Sequence, residues 1–336
     1  MDQSVTYLGI DYHQNSLQVC ALDVEGRMLL NRACVNDVAH LGRLLNFGNS
    51  RIEAAIEACS GTADLADEIV AQLGWSISLA HPGYVQRMKQ NRDKTDFSDA
   101  RMLADLTRVG YLPKVWLAPE PVRELRKLTR YRQDLVKRRR VLKLQIGALL
   151  RDQRVLSAPA ARWTKAWLEW LRSQAPLSEQ GRWIVDQTLM ELQSVMERIR
   201  STETRLAAVT ESDTLVQNLL KQPGIGLVTA TLLRAEIGRF DRFRTGKQLA
   251  RFCGLTPRNV SSGARQADAG LIGQCNRYLR STLIEAAHRL IRVEGHWSAM
   301  ALRMCAAGKP KGLVVAAIAN RWIRRLYHEF KLMNVA

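Results

Sequence analysis

Four acids in the first hundred residues stand where a carboxylate needs a reason. Asp11 closes the apolar run VTYLGID and shares its face with Tyr7 and Gly9. Glu57 lies in RIEAAIEACS, whose other face carries Ile52, Ala54 and Ile56. A carboxylate flanked by apolar strand residues is costly to bury unpaired, and coordination of a cation removes that cost. Asp96 and Asp99 are three residues apart at the start of a helical stretch, so both can face one side. Hard oxygen ligands of this kind suit Mg²⁺ or Mn²⁺. Two such ions about 4 Å apart activate a nucleophile and stabilise a leaving oxygen in phosphoryl transfer. Each acid also has an ordinary use: Asp11 capping a strand-end turn, Glu57 in an ion pair, and Asp96 and Asp99 as helix capping and dipole complements. The set of four, not any single member, points to a metal centre.

Three further features bear on phosphate chemistry. TPRNVSSGAR contains Ser262 directly before Gly263, on a loop between Arg258 and Arg265. A serine there can attack phosphorus, and two guanidiniums can hold the phosphate and offset transition-state charge. Ser261 is equally suited on chemistry alone, and a polar turn is the plain alternative. Gly224 and Gly226 in PGIG open a helical stretch and present backbone N–H groups to a phosphate, as helix-hairpin-helix DNA binders do. Finally, Lys137, Arg138, Arg139 and Arg140 form a basic run. On a helix these four surround the axis, so the run reads either as a solvated charged face or as phosphate contact.

Periodicity supplies the elements that must position these groups. Residues 5–35 read as three strands separated by turn signals at His13-Gln14-Asn15 and Glu25-Gly26. A helix follows with Asp37 as N-cap. A strand through Glu57, a helix closed by Gly74, the strand SISLAHP and a helix from Asp96 to Val109 complete the segment. Adjacent strands followed by alternating helix and strand predict a mixed sheet with helices against it, an order compatible with a ribonuclease H-like fold.

From Glu120 the chemistry changes. Residues 121–155 hold twelve Lys or Arg against three acids, Glu124, Asp134 and Asp152. Leu128, Leu135, Leu142 and Leu149 recur every seven residues, with Leu125 and Ile146 beside them, a coiled-coil seam. Residues 183–209 repeat the pattern with Leu189, Leu192, Met196, Ile199 and Leu206. Trp163, Trp167 and Trp170 lie between and are placed to cap a hairpin tip. A third region from Asp213 reads as a glycine turn opening a helix, a short helix GKQLARF, a Gly- and Ser-rich loop, and helices from Asn276 onward. The boundaries are therefore 1–115, a catalytic α/β domain; 116–212, a basic coiled-coil linker; and 213–336, a mostly helical C-terminal domain.

Bulk properties agree. The chain has 336 residues, about two domains at roughly 150 residues each. Fifty Lys and Arg against 32 Asp and Glu give a formal charge of +18, an excess that calls for a polyanionic partner, most simply nucleic acid. Six scattered cysteines with no C-x-x-C spacing argue against a zinc site and fit a reducing cytosol. MDQSVTYLGIDYH lacks the pattern of a signal peptide, and no apolar run reaches the roughly 18 residues of a membrane span. A cytoplasmic protein is expected.

Taken in order, YLGIDYHQNSLQV, AAIEACSGT, KTDFSDARMLADL, QPGIGLVTATLLRAEIG, LARFCGLTPRNVSSGA and GQCNRYLRSTLIEAA resemble the DEDD insertion-sequence transposases of the IS-one-ten family. These are kin to Piv-type DNA invertases and bridge-RNA-guided recombinases. The resemblance spans nearly the whole chain. It implies an N-terminal RuvC-like domain, a coiled-coil linker and a C-terminal transposase domain. It implies that Asp11, Glu57, Asp96 and Asp99 bind a divalent metal, Mg²⁺ or Mn²⁺. It also implies that Ser262, the serine directly before glycine, forms a covalent link to DNA. Donor and target DNA, a structured non-coding guide RNA, and a homodimer or homotetramer with composite sites are the implied partners. Many relatives carry Lys where Gln14 stands and Asp where Gln18 stands. The rival readings are a RuvC-like junction nuclease that cuts with activated water, a non-catalytic nucleic-acid-binding protein, and an actin-like sugar kinase, whose fold also opens on G-I-D but which the +18 charge and the lack of later Gly-rich phosphate loops argue against.

Overall fold

The computed structural model describes residues 4–45, 48, 50–88, 95–155, 158–259 and 268–332. Two compact units divide the chain, Met1–Glu120 and Pro121–Ala336.

In the first unit the chain order is β1 (Val5–Tyr12), β2 (Ser16–Leu22), β3 (Met28–Val35), α1 (Val38–Leu44), β4 (Arg51–Glu57), α2 (Thr62–Leu73), β5 (Ser76–Ala80), α3 (Pro82–Met88), α4 (Asp96–Arg108) and β6 (Lys114–Val115). The sheet order is β3-β2-β1-β4-β5-β6. The first three strands are antiparallel neighbours, β4 and β5 run parallel to β1, and β6 returns antiparallel. This is a mixed sheet, consistent with a ribonuclease H-like domain.

Alternation along the strands assigns each face. Leu8, Ile10, Leu17, Val19, Ile52, Ala54 and Ile56 point to α1 and α2, whose Leu41, Leu65 and Ile69 complete one core. Asp37 caps α1 as expected, accepting from the His40 N–H at 2.6 Å, and Gly74 closes α2 in the left-handed region. The opposite face is covered by α4. Ala100 and Ala104 lie on Cys20 and Leu22 of β2, and Leu103 packs with Ala55, Ala80 and Val85. The contact over β1 is closer still. A Cβ on Gly9 would overlap the Ala100 carbonyl oxygen and stand 2.5 Å from the Ala104 nitrogen. The helix backbone therefore rests directly on the strand. The run through His81 does not stay extended: β5 ends at Ala80 and Pro82 opens α3, a position where its missing N–H is harmless.

The second unit contains α5 (Glu120–Asp152), α6 (Lys165–Ser173), α7 (Glu179–Val209), α8 (Thr214–Leu220), α9 (Leu227–Ile237), α10 (Gly246–Phe252), β7 (Pro257–Asn259), β8 (Asp268–Leu271), α11 (Arg277–Val293), α12 (Gly295–Ala306) and α13 (Lys311–Phe330). Helices α5 and α7 run antiparallel. Arg132 bonds Glu203, Arg138 bonds Glu191, and Arg198 donates to the Tyr131 hydroxyl. Their apolar stripes join α6 in one cluster. The stripe drifts from a strict seven-residue repeat: Leu150 is buried where Leu149 was expected, and Val195 takes the place of Met196. A straight helix of 3.6 residues per turn moves off a heptad seam in this way. Trp167 fills the end of this cluster, with Trp163 and Trp170 packed against it.

Helices α8 to α13 enclose a separate core. Helix α9 is buried on more than one side, with Ala230, Leu233 and Ile237 in this core and Ala235 packed with Leu125 and Leu206, which is why its sequence shows little amphipathicity. Its one buried acid, Glu236, accepts from Arg130 at 2.8 and 3.1 Å and from the Asn276 amide at 2.7 Å. The Gly- and Ser-rich stretch, expected as loop, carries two short strands: β7 and β8 pair antiparallel. Turn-rich composition hides strands this short. Among the described residues, no helix is long and apolar enough to cross a membrane.

The Gly9 contact leaves no space for a side chain. Gly9→Val is expected to cost about 3 kcal/mol or more through overpacking, read as a lower urea midpoint. An unchanged midpoint would show that α4 is not seated on β1.

Candidate metal centre and basic groove

Parallel pairing brings two acids to one end of the central strands. Ile10 lies opposite Ile56, so the next residues, Asp11 and Glu57, sit at the same level at the ends of β1 and β4, on the face that α4 covers. Both carboxylates act on Cys59. Its thiol is raised, first by burial and further by the charges of Glu57 and Asp11, against a lowering hydrogen bond with Thr62. Helix α4 starts beside them because of the Gly9 contact. Thr95 caps it, its hydroxyl accepting from the Ser98 N–H at 3.2 Å, which starts the helix at Asp96. A second brace comes from the sheet. The Gln18 amide donates to Asn31 at 2.7 Å, and Asn31 donates to the Phe97 carbonyl at 3.0 Å. Gln18, on β2, is the partner of Asp11 in the β1–β2 register, so the strand paired with the first acid's own strand also steadies, through Asn31 of β3, the helix that carries the other two.

The structure brings Asp11 and Asp96 together through a residue that sequence reading placed in a turn. The His13 Nε2 lies 3.4 Å from Asp11 Oδ2 and 3.1 Å from Asp96 Oδ2. One ligand atom from each of these three residues falls within 4.8 Å of the others, the only such group of His, Cys, Asp or Glu among the described residues. An ion held at about 2.1 Å keeps adjacent ligand atoms about 3 Å apart and opposite ones about 4 Å apart; the two His13 distances, 3.4 and 3.1 Å, fall in that range. Glu57 and Asp99 stand outside this trio. Asp99 is buried on α4, whereas Asp96 is exposed. The two acids of D-x-x-D thus differ in environment despite their helical spacing. His13 carried no signal in the sequence beyond its place two residues after Asp11.

The basic run is divided by the fold. Arg138 turns to α7 and pairs with Glu191 at 2.6 Å, and Lys137 pairs with Asp134 at 2.8 Å. Lys137, Arg139 and Arg140 join Lys143, Arg151 and Arg162 along a groove of about 860 Å³. The Lys143 ammonium stands over the Trp163 ring, 4.4 Å from its centroid. Burial, and then the charge of Arg139, lower the Lys143 ammonium from its usual range. Crowded cations of this kind gain from a polyanion. Trp163, with a backbone φ of 70°, holds the left-handed conformation that non-glycine residues seldom adopt.

Gly224 also has a positive φ, 75°, with Leu290 packed on the side a Cβ would take. Gly226 leads into α9, with open space where its Cβ would be. The turn borders a groove of about 1020 Å³ lined also by Arg132, Thr229, Arg289 and Arg292. Arg289 donates to the Gly224 carbonyl at 3.3 Å and to the Thr229 hydroxyl at 3.2 Å. Arg258 is exposed on β7. Ser261, Ser262 and Arg265 lie outside the described residues.

Comparison with known proteins adds a family to this geometry. A DEDD-type IS110 transposase domain matches residues 8–153, and the transposase IS116/IS110/IS902 family matches residues 216–301. A probable family 20 transposase of Pseudomonas aeruginosa is 28% identical over 96% of each chain. The transposase for insertion sequence element IS1111A of Coxiella burnetii is 26% identical, covering 86% of this chain and 79% of its own. The pilin gene-inverting protein of Moraxella bovis is 26% identical, over 96% of this chain and 95% of its own.

The cap on α4 gives a direct check of how the acids are placed. Thr95→Ala is expected to cost about 1 kcal/mol and to speed amide hydrogen exchange at Ser98, while Thr95→Ser retains both. Equal exchange in all three proteins would remove the cap from the account.

Proposed function

The chain belongs to the IS110 family of insertion-sequence transposases and is a DNA transposase; from that premise we propose that it cuts and rejoins DNA through a serine nucleophile, Ser262, served by a carboxylate-lined divalent-cation site. The observation that carries this reading is the meeting of Asp11 and Asp96 at the end of a central strand, with Glu57 at the end of the neighbouring strand and Asp99 one helical turn on.

In the proposed reaction the Ser262 Oγ attacks a phosphodiester phosphorus as its proton leaves to a base. The bond from phosphorus to one DNA oxygen breaks, and that oxygen takes up a proton. The phosphoserine link conserves the energy of the broken bond, so a second DNA hydroxyl can attack it, restoring a phosphodiester and freeing the serine. Asp11 and Asp96, with Glu57 and Asp99 about them, would hold Mg²⁺ or Mn²⁺. Such an ion supplies neutralisation of phosphate charge where it builds up. Arg258 and Arg265 flank the serine in sequence and offer paired donors to phosphate oxygens.

The remaining parts of the proposal concern nucleic acid. Lys137, Arg139, Arg140 and Lys143 would follow a sugar–phosphate backbone along α5, with Arg138 contributing less because Glu191 engages it. Gly224 and Gly226 would present the start of α9 to a phosphate, beside Arg289. The antiparallel α5–α7 pair would serve as a coiled-coil linker between the catalytic segments 1–115 and 213–336. A structured non-coding RNA of the element would guide the choice of DNA by base pairing, and at least two copies of the chain would act together. The +18 charge supports a polyanionic partner of either kind.

In a strand-exchange assay with element ends, Ser262→Ala is expected to abolish exchange; full exchange by this variant contradicts the serine mechanism. Asp11→Asn is expected to lower metal-dependent cleavage by about 10²-fold or more, on the scale of losing one electrostatic stabiliser. Undiminished cleavage by that variant would discard the carboxylate site and leave the serine untouched. For the groove, replacing Arg139, Arg140 and Lys143 together by Ala should weaken DNA binding and flatten its salt dependence by about 0.9 per lost phosphate contact. An unaltered slope in fluorescence anisotropy would move the interface elsewhere.

A further inference from the structure

We propose that His13 is itself a ligand of the divalent cation, and that its imidazole tilts the site toward first-row transition ions such as Mn²⁺ and away from Mg²⁺. This rests on the reading that Asp11 and Asp96 hold a cation, and goes beyond it by giving the site a nitrogen donor and a preference.

The geometry is specific to one ring atom. The Nε2 faces both carboxylates, at 3.4 Å from Asp11 and 3.1 Å from Asp96, so a cation among the three would meet a lone pair from the ring and an oxygen from each acid. The backbone that carries the ring is held on both sides. The His13 N–H donates to the Ser16 carbonyl at 2.9 Å, closing the β1–β2 turn. The His13 carbonyl accepts from the Asn36 side chain at 3.2 Å, which donates also to the Gln14 carbonyl at 3.2 Å. The turn therefore presents the imidazole over the end of the central strands with little freedom in its backbone, although the ring itself is half exposed. Asp11 is fixed within β1, and Asp96 is fixed by the cap on α4 and the Gln18–Asn31–Phe97 chain. Three ligands are thus set by three separate local structures: a strand end, a hairpin turn and a helix start.

The donor set decides the preference. Mg²⁺ favours oxygen and gives up water reluctantly. Imidazole nitrogen favours the later first-row ions, whose affinity for a mixed nitrogen and oxygen site exceeds that of the alkaline earths. An all-carboxylate site, which suits Mg²⁺ and Mn²⁺ alike, has less of this bias. The same three contacts also describe an imidazolium salt-bridged to two acids when no ion is bound. A ligand and a salt-bridge partner differ in one observable, whether nitrogen couples to the bound ion.

The experiment adds Mn²⁺ alone to the full-length chain and records electron spin echo envelope modulation, with Mg²⁺ competition measured in parallel. The expected result is ¹⁴N modulation from bound Mn²⁺. His13→Ala and His13→Gln, the second keeping a polar side chain at the turn, are both expected to lose that modulation. Their Mn²⁺ affinity should fall at least about tenfold, the scale on which even outer partners of a metal act, while Mg²⁺ affinity falls less. Bound Mn²⁺ without ¹⁴N modulation in the unaltered chain, or an unchanged Mn²⁺-to-Mg²⁺ ratio in both variants, overturns the role of His13 and leaves the carboxylate site standing. If Asp11→Asn binds Mn²⁺ undiminished, the cation site itself is lost, and His13 with it.

Discussion

The approach of α4 to β1 at Gly9 is the constraint on which the first unit depends. A side chain at residue 9 would meet the Ala100 carbonyl and the Ala104 nitrogen, so only glycine permits the helix to lie against the strand. That approach sets where α4 begins. Its first turn carries Asp96 and Asp99, and Asp11 follows Gly9 by two residues on the same strand face. Small residues in the contact, Ala100 and Ala104 on the helix and Cys20 on β2, serve the same end. The acids are brought together by backbone packing first and by their own interactions second. This order suits a site of like charges, which repel one another.

In the second unit a buried ion pair has a comparable role. Glu236, nearly inaccessible on α9, receives Arg130 from α5 and Asn276 at the start of α11. Burial pulls the Arg130 guanidinium down, but its bond with Glu236 and that acid's charge outweigh this and leave it raised. The network satisfies the one carboxylate that α9 takes into the core, and removing a single partner of such a pair is far more costly than exchanging both for apolar groups. It also fixes the N-terminal half of α5 against α9. The basic residues further along α5 are then offered to a groove and not to the core.

Much of this was legible in the sequence, and the exceptions have physical causes. Alternation and turn residues marked β1 to β5, and Asp37 and Gly74 marked the ends of α1 and α2, because capping and left-handed turns depend on local residue type. The apolar seams of α5 and α7 were readable too, although Leu150 and Val195 replace Leu149 and Met196 as helical drift accumulates. The strands β7 and β8 were missed, being only three and four residues long within a turn-rich stretch. The pairing of Lys137 with Asp134 is local, three residues apart on α5, but that of Arg138 with Glu191 depends on α7, more than fifty residues away, and no local pattern encodes it. The same holds for His13. Its spacing from Asp11 is visible, but its approach to Asp96 exists only after the hairpin, the sheet and α4 have assembled. Asp96 and Asp99 looked equivalent from their spacing, and α4's packing makes one exposed and the other buried.

In the proposed reaction DNA is cut by a serine side chain and not by water, with the acids serving the phosphate. The most direct measurement is to trap the reaction of the full-length chain with labelled element-end DNA under denaturing conditions and to identify the attachment site by peptide mass. The expected result is a covalent protein–DNA adduct whose phosphate is carried on Ser262. Cleavage that proceeds with free DNA ends and no adduct, or an adduct carried on a different residue, would contradict it.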